Sequence, residues 1–339
     1  MEEYKYTFKK LLKDWVLVIG MIAGASIYLI YHSIPALHPA GPALELVCKK
    51  LQPVLLFSML FLSFCKIEPR QMKPHKWQAR LLLFQVAAFV CLAGVEIWAL
   101  RTGTPAACWI SAHRVTVESV ALCLICPTAT ACAVVTGKLG GNMAGVVTYT
   151  VIINLAVAVL IPLFVPLMYP AAGVSFWTAF LKILAKVFPL LIMPCICAWF
   201  IRYCLPGLHR WLLRYAGISF YIWIISLTLA ILVTTRNLMR SGAGLSVLLE
   251  VAAASIFCCF IQFWLGKRIG ARCGYRISAG QALAQKNTVF GIWTGYTFFD
   301  PLTSVACGFY IIWQNSFNSW QFYRRRKEAE ESSAPLPVE

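Results

Sequence analysis

A lysine stands in the middle of a long apolar stretch, 280–299, in the run Gln285-Lys286-Asn287-Thr288. An ammonium at the centre of a membrane-length segment costs about 2.5–3.5 kcal/mol on insertion scales, so it is kept where a partner or a wet cavity holds it. Three kinds of chemistry fit such a group. It holds an anionic solute, it takes the place of a bound cation, or it carries a proton. The plain alternative is a lysine that snorkels to an interface. Gln285, Asn287, Thr288, Thr130 and Gln85 offer carbonyls, amides and hydroxyls at a similar depth. Singly, each serves equally well as glue between helices. No carboxylate falls in the central part of 117–136 or of 280–299, so Lys286 has no counter-charge close by in sequence.

These residues need elements to position them, and composition says which kind. The chain has 339 residues, of which 60% are hydrophobic and 13% charged, with mean hydropathy +0.73. A soluble domain keeps roughly a quarter of its residues charged, so the charge here is too thin to coat a surface in water. The apolar residues fall in blocks of about 18–25, the length that crosses about 30 Å of hydrocarbon as helix. They do not alternate with polar ones, which argues against a barrel. The expected fold is an all-α polytopic membrane protein with ten spans: 15–34, 47–65, 77–100, 117–136, 142–168, 176–203, 218–235, 245–266, 280–299 and 302–322. The first follows the basic start MEEYKYTFKKLLKD. It is read as a span and not a signal peptide, because it is long and lacks a clean small-residue cleavage site.

Formal charge is +17, which invites a nucleic-acid reading. Its distribution points elsewhere. Lys5 to Lys13, Lys66 to Arg80, Arg202 to Arg214, Lys267 to Arg276 and Arg324 to Lys327 all fall on one side of a ten-span chain. That side is expected to be cytoplasmic, with both termini inside a cell membrane of the bacterial inner-membrane type. Residues 1–14 form a cytoplasmic arm and 326–339 a polar tail expected to be disordered. Trp77 and Trp211 fit interface anchors, and Lys182 and Lys186 an interfacial pair. The partners are thus the bilayer and a small solute, with no nucleic acid; nothing in the sequence sets the oligomeric state.

Enzyme chemistry finds little to use. Most of the 14 cysteines lie in apolar blocks as soft packing residues. Cys123 and Cys126 make a CxxC with no second pair and no nearby histidine, which is not a metal site. The five histidines are scattered, and none stands at a spacing from a carboxylate that suggests acid–base work.

Two spans are irregular. The fourth contains CPTATACAVVTGKLGGN, where Pro127 removes a backbone donor and small or hydroxylated residues follow. The ninth contains Lys286. Pro127, Gly137 and Gly295 are the expected helix-breaking positions. Such breaks survive in lipid where protein or a wet cavity covers the freed backbone. The two spans also resemble each other: Thr130, Thr136-Gly137 and Asn142 recur as Thr288, Thr294-Gly295 and Asp300, each 158 residues on. Two sets of five spans are inverted relative to each other, and matching interruptions in inverted halves point to a transport site.

At this point the chain resembles the bile acid:sodium symporter family. PTATACAVVTGKLGGN, from Pro127 to Asn142, looks like that family's PGGTASNVxTxLAxGN segment; ALAQKN, from Ala282 to Asn287, looks like its ExGxQN segment. The run DPLTSVACGFYIIWQNSFNSWQFY is similar to its proline-started helix with a WHNxxGS core, through Trp313, Asn315 and Ser319, and Gln85 falls where the family has a glutamine. The resemblance implies a panel of spans 1, 2, 6 and 7 (about 15–68 and 176–240) and a core of spans 3–5 and 8–10 (about 77–170 and 245–325). The discontinuous fourth and ninth helices would cross near the midplane, with substrate at the crevice between the two bodies. It also implies alternating access, with organic anions carried alongside sodium.

The departures from the family fall on its sodium ligands. Its Ser-Asn pair is Cys132-Ala133 here, its glutamate is Ala282, its glutamine is Lys286 and its upstream serine is Val146, while a threonine remains at Thr150. Thiol, methyl and ammonium do not coordinate sodium, and two unit charges about 4 Å apart repel by about 4 kcal/mol at an effective dielectric of about 20. The expectation is a secondary transporter of a small organic anion, with no metal and no cofactor, in which Lys286 is a tethered cation, a counter-charge for substrate or a proton carrier. A sodium-coupled symporter is the alternative; a membrane sensor or membrane-embedded acyltransferase is the alternative from another class.

Overall fold

The computed structural model describes residues 19–129, 131–170, 175–215, 218–240 and 242–332. Among these the chain is helical, with no strand. In order, the helices are α1 (Ile19–Ser33), α2 (Gly41–Cys65), α3 (Lys76–Arg101), α4 (Pro105–Ala112), α5 (Arg114–Ile125), α6 (Cys132–Lys138), α7 (Met143–Met168) and α8 (Phe176–Leu191). They continue as α9 (Met193–Cys204), α10 (Pro206–Arg214), α11 (Ile218–Arg240), α12 (Leu245–Ala271), α13 (Arg276–Ala284), α14 (Thr288–Phe298) and α15 (Thr303–Ser332).

Four segments are long and apolar enough to cross a membrane: Pro35–Cys65, α3, α7 and α12. Two bent pairs raise that to six, α4 with α5 at 71° and α8 with α9 at 44°. The second bend lies between Pro189 and Pro194, which remove backbone donors on either side of it. Side-chain placement agrees with a lipid surround. Leu83, Phe257 and Phe260 are exposed, while Gln52, Gln78, Gln85, Gln262 and Gln281 are buried. Large apolar side chains thus face outward while amide side chains are drawn into the largely apolar interior, where other helices can bond them, as suits a helical membrane protein with no water at its flank.

The helices pack in two sets. α2 lies against α8, α9 and α11; α5 lies against α3, α12 and α15, and α13 against α12 and α7. α14 touches both sets, through α15 on one side and α11 and α2 on the other, and the sets also meet directly where α7 packs on α8 and α15 on α11.

Several expectations need correction. α15 runs on to Ser332, so residues 326–332 of the expected disordered tail are helical. Arg324 and Glu328 pair at 2.8 Å one turn apart there, and such pairs sustain a solvated helix. Trp77 is fully buried against Tyr149 and Tyr275, not an interface anchor, whereas Trp211 is exposed. Gly137 and Gly295 do not break helices; they lie inside α6 and α14. Their role is close approach: a Cβ would sit 2.5 Å from Met143 Sδ at Gly137 and 2.7 Å from Ser304 Cα at Gly295. The amino-terminal arm and Thr130 lie outside the described residues.

Candidate functional site

Two interruptions face each other. α5 stops at Cys126, whose ψ of 129° is the extended value that a following proline favours. α13 stops at Gln285, where ψ is 93°, and the chain re-enters helix after Asn287. The Asn287 side chain caps α14 by accepting from Phe290 N–H at 3.2 Å. Of the three expected breaking positions, Pro127 alone lies at a break.

The interrupted segments cross and bond through their backbones. Thr128 and Lys286 form an isolated antiparallel bridge. Ala129 N–H donates to the Gln285 carbonyl at 2.8 Å, and Asn287 N–H donates to the Pro127 carbonyl at 2.7 Å. Each of these bonds is the other with positions 158 apart exchanged: 127 for 285, 129 for 287, and 128 facing 286. The same holds for side chains. Thr128 Oγ1 donates to the Ala282 carbonyl at 2.7 Å, and Lys286 Nζ donates to the Leu124 carbonyl at 2.9 Å. The offset visible in the sequence is thus the offset of a local two-fold arrangement.

The remaining free carbonyls at these helix ends are met by buried side chains. Gln85 Nε2 donates to Leu124 at 2.8 Å and to Cys126 at 3.2 Å, and its own carbonyl accepts from Tyr149 OH at 2.6 Å. Gln262 Nε2 reaches Cys123 at 3.3 Å, and Tyr310 OH reaches Ala284 at 2.8 Å. Gln314 Oε1 accepts from Lys286 N–H at 2.9 Å. Backbone freed from helices is therefore bonded, which is what permits the breaks in an apolar surround.

Lys286 is 1% exposed, and its Nζ sits at the carboxyl end of α5, among Cys123, Cys126, Cys258 and Cys259. No carboxylate pairs with it among the described residues. Helix carboxyl ends carry partial negative charge, and that end of α5 is what faces the ammonium. It does not snorkel.

A small cavity of about 20 Å³ adjoins the crossing, lined among others by Met59 and Leu227 on one side and by Gln285, Lys286, Thr288 and Gln314 on the other. It has room for about one water. Thr288 belongs to the first turn of α14, so the positive end of that helix borders the cavity. A much larger open cavity, about 690 Å³, lies elsewhere, among Tyr31, His38, Glu45, Lys49 and Arg240. It touches no residue of the crossing.

The expected site residues divide. Lys286, Asn287, Gln285, Thr288, Gln85 and Pro127 gather at the crossing. Cys132, at the start of α6, is buried and its Sγ lies 3.9 Å from Thr136 Oγ1. Ala133 sits on the same helix, half-buried, and does not line the cavity. Thr150 Oγ1 donates to Val146 in its own helix at 2.9 Å, so that hydroxyl is already engaged. Residues not foreseen are Thr128, Tyr149, Gln262, Tyr310 and Gln314, which bond the crossing. The repeat offset was the one signal available for Thr128. A second buried polar group, around Glu96, Arg114 and Glu118, also escaped notice. Likewise His113 meets Glu250 at 3.1 Å, a pairing hidden by a separation of 137 positions.

No protein-family model matches the chain, and no curated protein matches it. The class that fold and site define is a helical membrane protein with two interrupted helices joined at a crossing.

Proposed function

We propose that this protein is a secondary transporter of a small organic anion, working by alternating access. In this reading it has ten spans arranged as two inverted five-helix halves, and both termini face the cytoplasm. Lys286 is a tethered cation that occupies the position where sodium binds in the family it resembles. The observation that carries the proposal is the crossing itself. Its backbone bonds exchange as in any antiparallel bridge, but the bridged positions stand 158 apart, the offset of the sequence repeat, and their side-chain bonds exchange with them; a lysine without a carboxylate partner among the described residues lies at its centre.

An anionic cargo follows from sign. The ammonium and the amino end of α14 both place positive charge beside the cavity, and no buried carboxylate there offsets them. The cavity is far smaller than an organic anion. Loading therefore requires α2 and α11 to part from the crossing, and separation of those two packed sets is the rocking movement alternating access demands.

The test is uptake of radiolabelled carboxylates and sulfonates by proteoliposomes containing the full chain, in sodium and in choline media. Wild type is expected to accumulate at least one of them equally in both. Lys286→Gln is expected to lose uptake or to become sodium-dependent. Normal, sodium-independent uptake by the variant would refute the tethered cation. Absence of uptake across the panel would refute the transport reading.

A further inference from the structure

A second buried polar centre joins the far ends of both interrupted helices. Arg114, at the start of α5, places its Nε 2.8 Å from Glu96 Oε1 of α3 and 2.8 Å from Glu118 Oε1 of its own helix. Its Nη2 donates to the Met168 carbonyl at 3.0 Å, and its guanidinium lies over the Tyr169 ring at 4.2 Å. Glu118 is 0% exposed and fully served: besides Arg114 it accepts from Tyr169 OH, from Thr303 Oγ1 at 2.9 Å and from Asp300 N–H at 3.4 Å.

Glu96 is served differently. It is 2% exposed, its Oε1 accepts from Arg114, and its Oε2 is buried with no hydrogen-bond partner. Both carboxyl groups thus bear on one guanidinium nitrogen, Arg114 Nε. Two carboxylates against one guanidinium leave one uncompensated negative charge in a buried place, and one proton removes it. The other titratable groups at this end of the helices are His113 at the α4–α5 joint, paired with Glu250 of α12, Tyr169 after α7 and Asp300 before α15. Among these no second cation reaches the carboxyl pair.

We infer that Glu96 and Glu118 form a binding site for one exchangeable proton, reached through Arg114, whose side chain is 30% exposed. Loading and release need no other reactant: water at the exposed face gives or takes the proton, and one O–H bond forms or breaks on Glu96. The site is mechanically tied to the crossing. From Glu118, α5 leads to Leu124, which accepts from Lys286, and Asp300 and Thr303 follow directly on α14. Protonation changes Glu96 from acceptor to donor at the point where both half-helices end. That the proton drives transport rests on the proposed function; that the site binds it does not.

Infrared difference spectra of the full chain in nanodiscs, labelled with ¹³C-glutamate and stepped through pH, test this directly. Wild type is expected to show a protonated glutamic acid carbonyl band that bleaches as pH rises, and Glu96→Gln to lose it. Absence of a titrating band in wild type would overturn the inference, even should the variant fail to fold. So would a band unchanged in both Glu96→Gln and Glu118→Gln. A titrating band without anion uptake keeps the proton site and removes the transport reading. Uptake without a titrating band does the reverse. Where both are present, wild-type uptake should vary with pH and that of Glu96→Gln should not.

Discussion

Replacing Lys286 with methionine should cost the protein its function and not its stability. The side chain holds one bond, from Nζ to the Leu124 carbonyl at 2.9 Å, at the negative end of α5. A hydrogen bond from a charged group contributes about 1.5–3 kcal/mol net, and a cation at a helix carboxyl end up to about 2 kcal/mol in partly buried geometry. Against this stands the penalty of holding an ammonium 1% exposed with no carboxylate beside it, which is several kcal/mol per ion. The variant does not orphan its partner, because Gln85 still donates to Leu124 at 2.8 Å. It does not open the crossing either: Gln314 holds the backbone of residue 286, and the bonds at Pro127 and Gln285 are main-chain. Methionine is close to lysine in volume, so no large cavity forms. The net change should lie between zero and a gain of about 1–3 kcal/mol. Thermal unfolding of purified protein, followed by the fluorescence of its 12 tryptophans, should show an unchanged or higher midpoint. Proteoliposome uptake should be lost. A midpoint lowered as far as a core truncation lowers it, about 2–5 kcal/mol, would refute the reasoning, because the lysine would then be a structural strut.

Two further outcomes follow from packing and from hydroxyl partners. Gly295→Ala should destabilise by about 1–3 kcal/mol, since its Cβ would press on the Ser304 backbone, while Gly94→Ala meets nothing within 4 Å and should be neutral or stabilising by about 0.5–1 kcal/mol; unfolding midpoints of the pair decide this. Thr150→Val should leave uptake unchanged in sodium-free medium, because that hydroxyl bonds within its own helix, and a loss of uptake would place Thr150 in the site after all.

What could be read from the sequence was whatever has a one-dimensional signature. Apolar block length marked the helices, since bilayer thickness acts on consecutive residues. Pro127 marked one break, since its ring constrains the neighbouring residue directly. The second break has no proline; Lys286 marked it only because an ammonium is expensive in apolar surroundings. Gly137 and Gly295 were misread for a related reason. A glycine in an apolar segment looks like a flexible joint, yet here each is a contact surface for another helix, and the contacting residue is not visible along the chain. Glu96 and Glu118 were missed because each stands near the end of its span, where a carboxylate is ordinarily a solvated one. Glu118 stands one turn from Arg114, but only folding brings Glu96 to the same guanidinium and seals both carboxyl groups from water.

The crossing contains its own control for the meaning of the lysine. Thr128 and Lys286 exchange under the local two-fold, and each donates one side-chain bond to the matching carbonyl, Ala282 or Leu124. In one half a neutral hydroxyl completes that bond at 2.7 Å; in the other an ammonium completes it at 2.9 Å. Bonding the crossing therefore does not require charge, because the mate position manages without it. If mechanical support were the whole role, the less costly group would serve on both sides, and a buried ion with no carboxylate partner would be a net loss. Polar strain kept at one point of an otherwise matched arrangement is the kind of expense that function, and not folding, sustains. On the proposed transport reading, the asymmetry makes the charge itself, and not the hydrogen bond, the part that would meet the solute.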